Sequence, residues 1–236
     1  MATTPSDGRW SRRAAYAVSA ALGLVLLAMA PARFVSEVAV VQARGAIQGA
    51  ENGALVPIER LRVATVRMAV EAGSSLSASA GDFAGRGRLM LALYEGPVTP
   101  AGDAELAAAA AEFRAALSAE PTAAQTWTRL AYAEYARGNF DAAAKAWRLS
   151  TVAAPFDPAL MASRLESGLA LRPFMDVAAR DALAEQVTLF WRWNPDGLIE
   201  LTRRFEAAAV FRPALAIDPE AADEFDRRLA RQRGRR

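Results

Sequence analysis

The chain has 236 residues, 53% of them apolar, and a formal net charge of +2. That is enough apolar material for one domain of ordinary size beyond any membrane segment, and the small charge makes no general electrostatic case for nucleic acid. It contains no Cys and no His, which excludes thiolate nucleophiles, imidazole bases, disulfides and the usual zinc, haem and iron–sulfur ligands.

Alanine is heavily used and β-branched residues are sparse, so the expected fold class is all-α. Residues 1–13 carry Arg9, Arg12 and Arg13 ahead of the uncharged run Ala14–Ala32. A bilayer core takes about 20 apolar residues as a helix, and residues 14–32 just reach that length. Trp10 and Tyr16 stand at the interface position, and the preceding arginines put the N-terminus in the cytoplasm by the positive-inside rule. A cleaved signal peptide shares this layout, with Ala30-Pro31-Ala32 as its small-residue site, and a buried soluble helix is a third reading. Pro31 inside that site and Arg33 directly after it favour the uncleaved anchor.

Residues 33–79 read as a helical connector. Phe34, Val38, Val41 and Ile47 continue the helical spacing, Gly49–Gly53 interrupts it, and Pro57 opens a helix with Leu61, Ala64 and Met68 on one face. Residues 80–172 follow. Asp82 is expected to cap a helix through Phe83, Leu89 and Leu93, residues Pro97–Gly102 form a loop, and Asp103 caps a helix from Ala104 to Leu117.

The strongest pattern lies between Trp127 and Pro155. Trp127, Leu130, Ala131, Gly138, Ala143, Trp147 and Pro155 occupy the spacing of a two-helix repeat, and Phe113 and Pro121 precede Trp147 and Pro155 by one 34-residue period. This stretch resembles the tetratricopeptide (TPR) family. The resemblance implies an α-solenoid of antiparallel helix hairpins behind the transmembrane helix, with neighbouring pairs sharing one core. It makes Trp127, Leu130 and Trp147 core residues, Ala131 and Ala143 the close contacts between helices, and Gly138-Asn139 the turn. Glu134 stands where the family has a tyrosine. The unit beginning at Pro158 offers Met161, Leu165 and Leu169 but no second helix in phase. An alanine-rich helical bundle is the alternative reading.

Residues 173–222 read as degenerate helical hairpins. Leu183, Val187 and Phe190 share one face, Pro195 restarts a helix, Pro213 and Pro219 punctuate the end, and Ala221–Ala230 is a last short helix. Residues 223–236 form a basic tail with Arg227, Arg228, Arg231, Arg233, Arg235 and Arg236. Beyond a charged frayed end, its functional reading is contact with an anionic polymer or lipid.

No catalytic residue, metal ligand or cofactor motif proposes itself. Lys145 and Ser150 are five apart on one helix and do not face each other. Glu105, Glu112, Asp223 and Glu224 read as solvated charge, and Trp191-Arg192-Trp193 reads either as core or as a stacking platform. Ligands of TPR proteins lie on the concave face built by the first helix of each pair. Carried onto the matched unit, that makes Gln125, Thr128, Tyr132 and Tyr135 the partner-binding candidates, unless the tyrosines complete the core. The resemblance implies a non-enzymatic, single-pass inner-membrane scaffold with a periplasmic domain. It would hold protein partners of an envelope assembly, such as exopolysaccharide or secretion machinery, and not nucleic acid. Direct binding of glycan or peptide is the alternative.

Overall fold

The computed structural model describes residues 38–75 and 77–233, and among them every regular element is a helix. The transmembrane reading of residues 14–32 lies outside the described residues. No described helix is long and apolar enough to cross a membrane.

Helix α1 covers residues 38–51. It is followed by α2 (Ile58–Ser75), α3 (Ala78–Glu95), α4 (Pro100–Ala119), α5 (Ala124–Ala136), α6 (Phe140–Ala153) and α7 (Pro158–Leu171). A 3-10 turn, Arg172–Phe174, leads to α8 (Val177–Trp193), α9 (Pro195–Arg204), α10 (Ala208–Leu215) and α11 (Pro219–Arg233).

Local chemistry sets most of the boundaries. Ser77, Thr99, Asp157, Asp176 and Asn194 each accept a first-turn N–H, at 2.7–3.3 Å. Pro100, Pro158 and Pro195 follow three of these caps, at a position where the missing N–H costs nothing. Two expected caps are overturned. Asp82 lies inside α3, which Ser77 starts, and Asp103 lies inside α4, which Thr99 starts. The expected Pro97–Gly102 loop is therefore shorter, because Thr99-Pro100 is the better start signal. Gly138 closes the α5–α6 turn at φ +77°, a conformation open to glycine and strained for most other residues. Pro213, read as punctuation, sits within α10.

Helices α2 to α6 pack each on the next along the chain, and α8 touches α6, α7, α9 and α10. Two buried clusters result. Val40, Ile47, Leu61, Met68 and Leu91 hold α1, α2 and α3 together. A larger cluster runs from Leu89 in α3 to Phe225 in α11. Met90 packs against both, so α3 joins them.

Most of the residues expected in the core of the Trp127–Pro155 stretch are buried, but Trp127 is only partly so, and its indole N–H donates to the Pro121 carbonyl at 2.8 Å. Leu130, Ala131, Ala143 and Trp147 are buried, and so are Ala109 and Phe113 one period earlier. The Trp147 indole N–H donates to the Arg164 carbonyl at 2.9 Å. The unit beginning at Pro158 is followed by a helix, α8, that is out of phase with the 34-residue period, as expected. The Arg172–Phe174 turn delays it, so Ala179 and Leu183 take the buried places of Ala143 and Trp147 two residues later than a 34-residue period puts them. Gly168 of α7 fits between these layers: a Cβ there would lie 2.8 Å from Leu183 Cδ1 and 3.0 Å from Trp147 Cζ2.

Candidate partner-binding groove

Helices α5 and α7 line an open groove of about 330 Å³. Thr128, Tyr132 and Tyr135 come from α5, Ser163, Glu166 and Ser167 from α7, and Ala131 and Leu171 add apolar surface. Three of the four expected site residues thus share one cavity. Gln125 does not line it. It is exposed one turn earlier on α5, where its amide oxygen meets Arg129 at 3.5 Å.

The two tyrosines do not complete the core. Tyr132 is 49% and Tyr135 41% exposed. Between them in the sequence, Glu134 turns inward: it is 1% exposed, pairs with Arg114, and accepts from Asn139 Nδ2 at 2.7 Å. A buried carboxylate needs such partners to offset the loss of hydration. An ion pair thus holds the buried place on α5, and the tyrosines are left to the surface.

Neighbouring helices of this row are tied by ion pairs. Asp82 of α3 takes Arg129 of α5 at 2.9 and 3.0 Å and the Thr126 hydroxyl at 2.8 Å. Glu166 of α7 pairs with Arg204 of α9 at 3.3 Å. Between α5 and α7, no ion pair occurs among the described residues, and the groove opens instead. It is held from below by hydrogen bonds. The Thr128 and Ser150 hydroxyls are 2.7 Å apart, and Arg164 Nε donates to Ser150 Oγ at 3.0 Å. Arg164, fully buried, also donates to the Ser150 and Ala154 carbonyls at the end of α6, at 2.6 and 2.7 Å. Burial pushes its guanidinium pKa down, against the attraction of Asp157.

The α7 wall was missed because the second unit looked out of phase. A signal existed: Glu166 lies one 34-residue period after Tyr132. Ser150 turns inward to Thr128 and Arg164 while Lys145 is exposed, so the two do not meet.

Other expected surface charge is engaged. Glu105 takes Arg88 at 2.9 Å and Arg62 at 3.8 Å. Glu112 is partly buried and has no ion-pair partner among the described residues, and burial raises its pKa against the pull of Arg88. Glu224 holds Arg227 and Arg228, which keep its pKa low. Arg228 also reaches Asp196, so two arginines of the expected basic tail are bound to the domain, and Arg235 and Arg236 lie outside the described residues. Trp191 is buried edge-on against Phe225, whereas Trp193 is half-exposed beside Phe156. Among the described residues, no group of three or more acidic side chains gathers to hold a metal ion.

No protein-family model, curated protein or solved structure matches the chain.

Proposed function

We propose that the protein is a non-enzymatic adaptor of the cell envelope. In this reading residues 14–32 anchor it in the inner membrane, and the helices that follow form a TPR-like solenoid in the periplasm. A protein partner lies in the α5–α7 groove. The observation that carries the reading is the groove itself, which opens at the one junction of the α3, α5, α7 and α9 row without an ion pair among the described residues. Half-exposed tyrosines suit such a role, because each offers a rigid apolar ring and a hydroxyl at small entropic cost.

The test is photocrosslinking in cells, with a photoreactive residue placed at Tyr132 of the full-length protein and, as a control, at Val152 on the exposed side of α6. One defined set of envelope proteins captured from position 132 and not from 152 supports the reading. Equal capture from both, or self-crosslinks alone, sinks it.

Half-exposed Trp193, edge-on to Phe156 at 6.4 Å, favours a second reading in which the domain binds glycan directly. That reading expects sugar to change the Trp fluorescence of purified protein with no other protein present.

A further inference from the structure

On α6 and the start of α8 lies a second open pocket, of about 350 Å³. Lys145 and Arg148, three residues apart on α6, bring two positive charges to it, and Asp141 and Asp176 bring two negative ones. Leu149 and Phe174 supply apolar surface. Phe174 stacks on Phe140, with centroids 4.3 Å apart and planes at 16°, so this wall is held in place from outside the pocket.

The charges do not satisfy one another. Arg62, Arg86, Arg88, Arg114, Arg129 and Arg137 all have carboxylate partners within 4 Å. Among the described residues, no such partner faces Lys145 or Arg148, although both share the pocket with Asp141 and Asp176. Asp176 spends one carboxylate oxygen on the α8 cap and has the other left. Lys145 is also the chain's only lysine.

A ligand with a single charge gains from one pair of these groups and loses to the other, since Coulomb energies of opposite sign nearly cancel at similar distances. A ligand with both charges gains from each. Its uncharged part then meets Leu149 and Phe174. The volume is at the lower end of small-molecule sites. The geometry points to a binding site for a free α-amino acid with an apolar or aromatic side chain. Its carboxylate meets Lys145 and Arg148, and its ammonium meets Asp141 and Asp176.

Calorimetry on the detergent-solubilised full-length protein tests this with three probes: L-phenylalanine, 3-phenylpropionate and 2-phenylethylamine. The expected result is that L-phenylalanine binds at least about tenfold tighter than either singly charged analogue. K145Q/R148Q should remove the preference over 2-phenylethylamine, and D176S should weaken the preference over 3-phenylpropionate, each with an unchanged circular dichroism spectrum, because serine keeps the α8 cap without the charge. No binding of L-phenylalanine at millimolar concentration overturns the proposal. So does equal affinity for 3-phenylpropionate, which marks a plain anion site, or full affinity in both variants, which places the binding elsewhere.

Discussion

Arg164 sits where the preceding unit has Leu130, one period earlier, and replacing it separates charge from hydrogen bonding. Its guanidinium is fully buried and reaches three oxygens, Ser150 Oγ, Ser150 O and Ala154 O. Hydrogen bonds from a charged donor are worth about 1.5–3 kcal/mol each, while burying the ion costs several kcal/mol. Arg164→Met loses the three bonds and also the burial cost. Ser150 O keeps the Ala154 N–H at 3.3 Å, and Ala154 is only partly buried, so few orphaned groups remain. A net loss of about 2 kcal/mol follows. Arg164→Lys is chemically closer and should be worse. An ammonium cannot span three oxygens set around a planar fork, yet it keeps the charge. Its penalty is limited by deprotonation: from an ordinary pKa of about 10.4 to pH 7 at about 1.36 kcal/mol per unit, the ceiling is about 4.6 kcal/mol. The two variants also differ with pH. A lysine whose folded pKa is depressed binds fewer protons folded than unfolded, so its penalty is full below the folded pKa and fades as pH rises toward the unfolded one. Urea unfolding at pH 7 and pH 9 should show R164K the least stable at pH 7 and gaining at pH 9, with R164M shifting no more than wild type. If R164K equals or exceeds R164M at pH 7, the fork is not what holds the end of α6 to α7, and the argument fails.

Further outcomes follow from the same contacts. Y132A and Y135A should each change stability by no more than about 0.5 kcal/mol, because both side chains are half-exposed, yet should lower partner recovery in a pull-down. Loss of fold in either would show that these residues belong to the core. Glu112→Gln should raise the melting temperature at pH 7 and leave it unchanged near pH 3. Burial raises the folded pKa of Glu112, so its stability cost is absent below the ordinary carboxylate range, grows as pH rises above that range and is complete above the raised value. Gly168→Val should cost about 1–3 kcal/mol in chemical denaturation, since even its Cβ is crowded by Leu183 and Trp147. Glu134→Ala should cost no more than about 1 kcal/mol, because Asn139 and Arg114 are exposed and water takes the place of the lost acceptor. A double-mutant cycle with R114A would then show coupling no larger than this.

How much of the molecule was readable beforehand depends on the range of each interaction. Helix stops and starts follow from contacts within a few residues. Gly138-Asn139, Asp157-Pro158 and Asn194-Pro195 therefore mark the same turns in the sequence and in the fold. The Trp127–Pro155 unit was legible for a similar reason: its buried positions are set by the pitch of two short helices. Asp82 and Asp103 show the limit. Either would cap a helix, but Ser77 and Thr99 lie closer to the true starts, and Asp82 is drawn to Arg129, 47 residues on. Of the candidates taken from the repeat phase, Thr128, Tyr132 and Tyr135 line the α5–α7 groove and Gln125 lies one turn away from it. Their α7 counterparts were not readable, because the Arg172–Phe174 turn broke the period that would have paired the units.

By itself, the amino-acid sequence determined the all-helical class, the turns at Gly138-Asn139 and Asn194-Pro195, and the tight helix pair around Trp147. Each of these depends on local backbone preference or on the spacing of apolar residues along one helix. Tertiary structure alone decided which charges meet. Burial of Glu134 with Arg114, burial of Arg164 against the end of α6, the Asp82–Arg129 and Glu166–Arg204 ties, and the opening between α5 and α7 all join residues about 14 to 47 positions apart. Such pairs form only after packing has brought distant helices together and stripped their water, and at that point a partner's distance outweighs its place in the sequence.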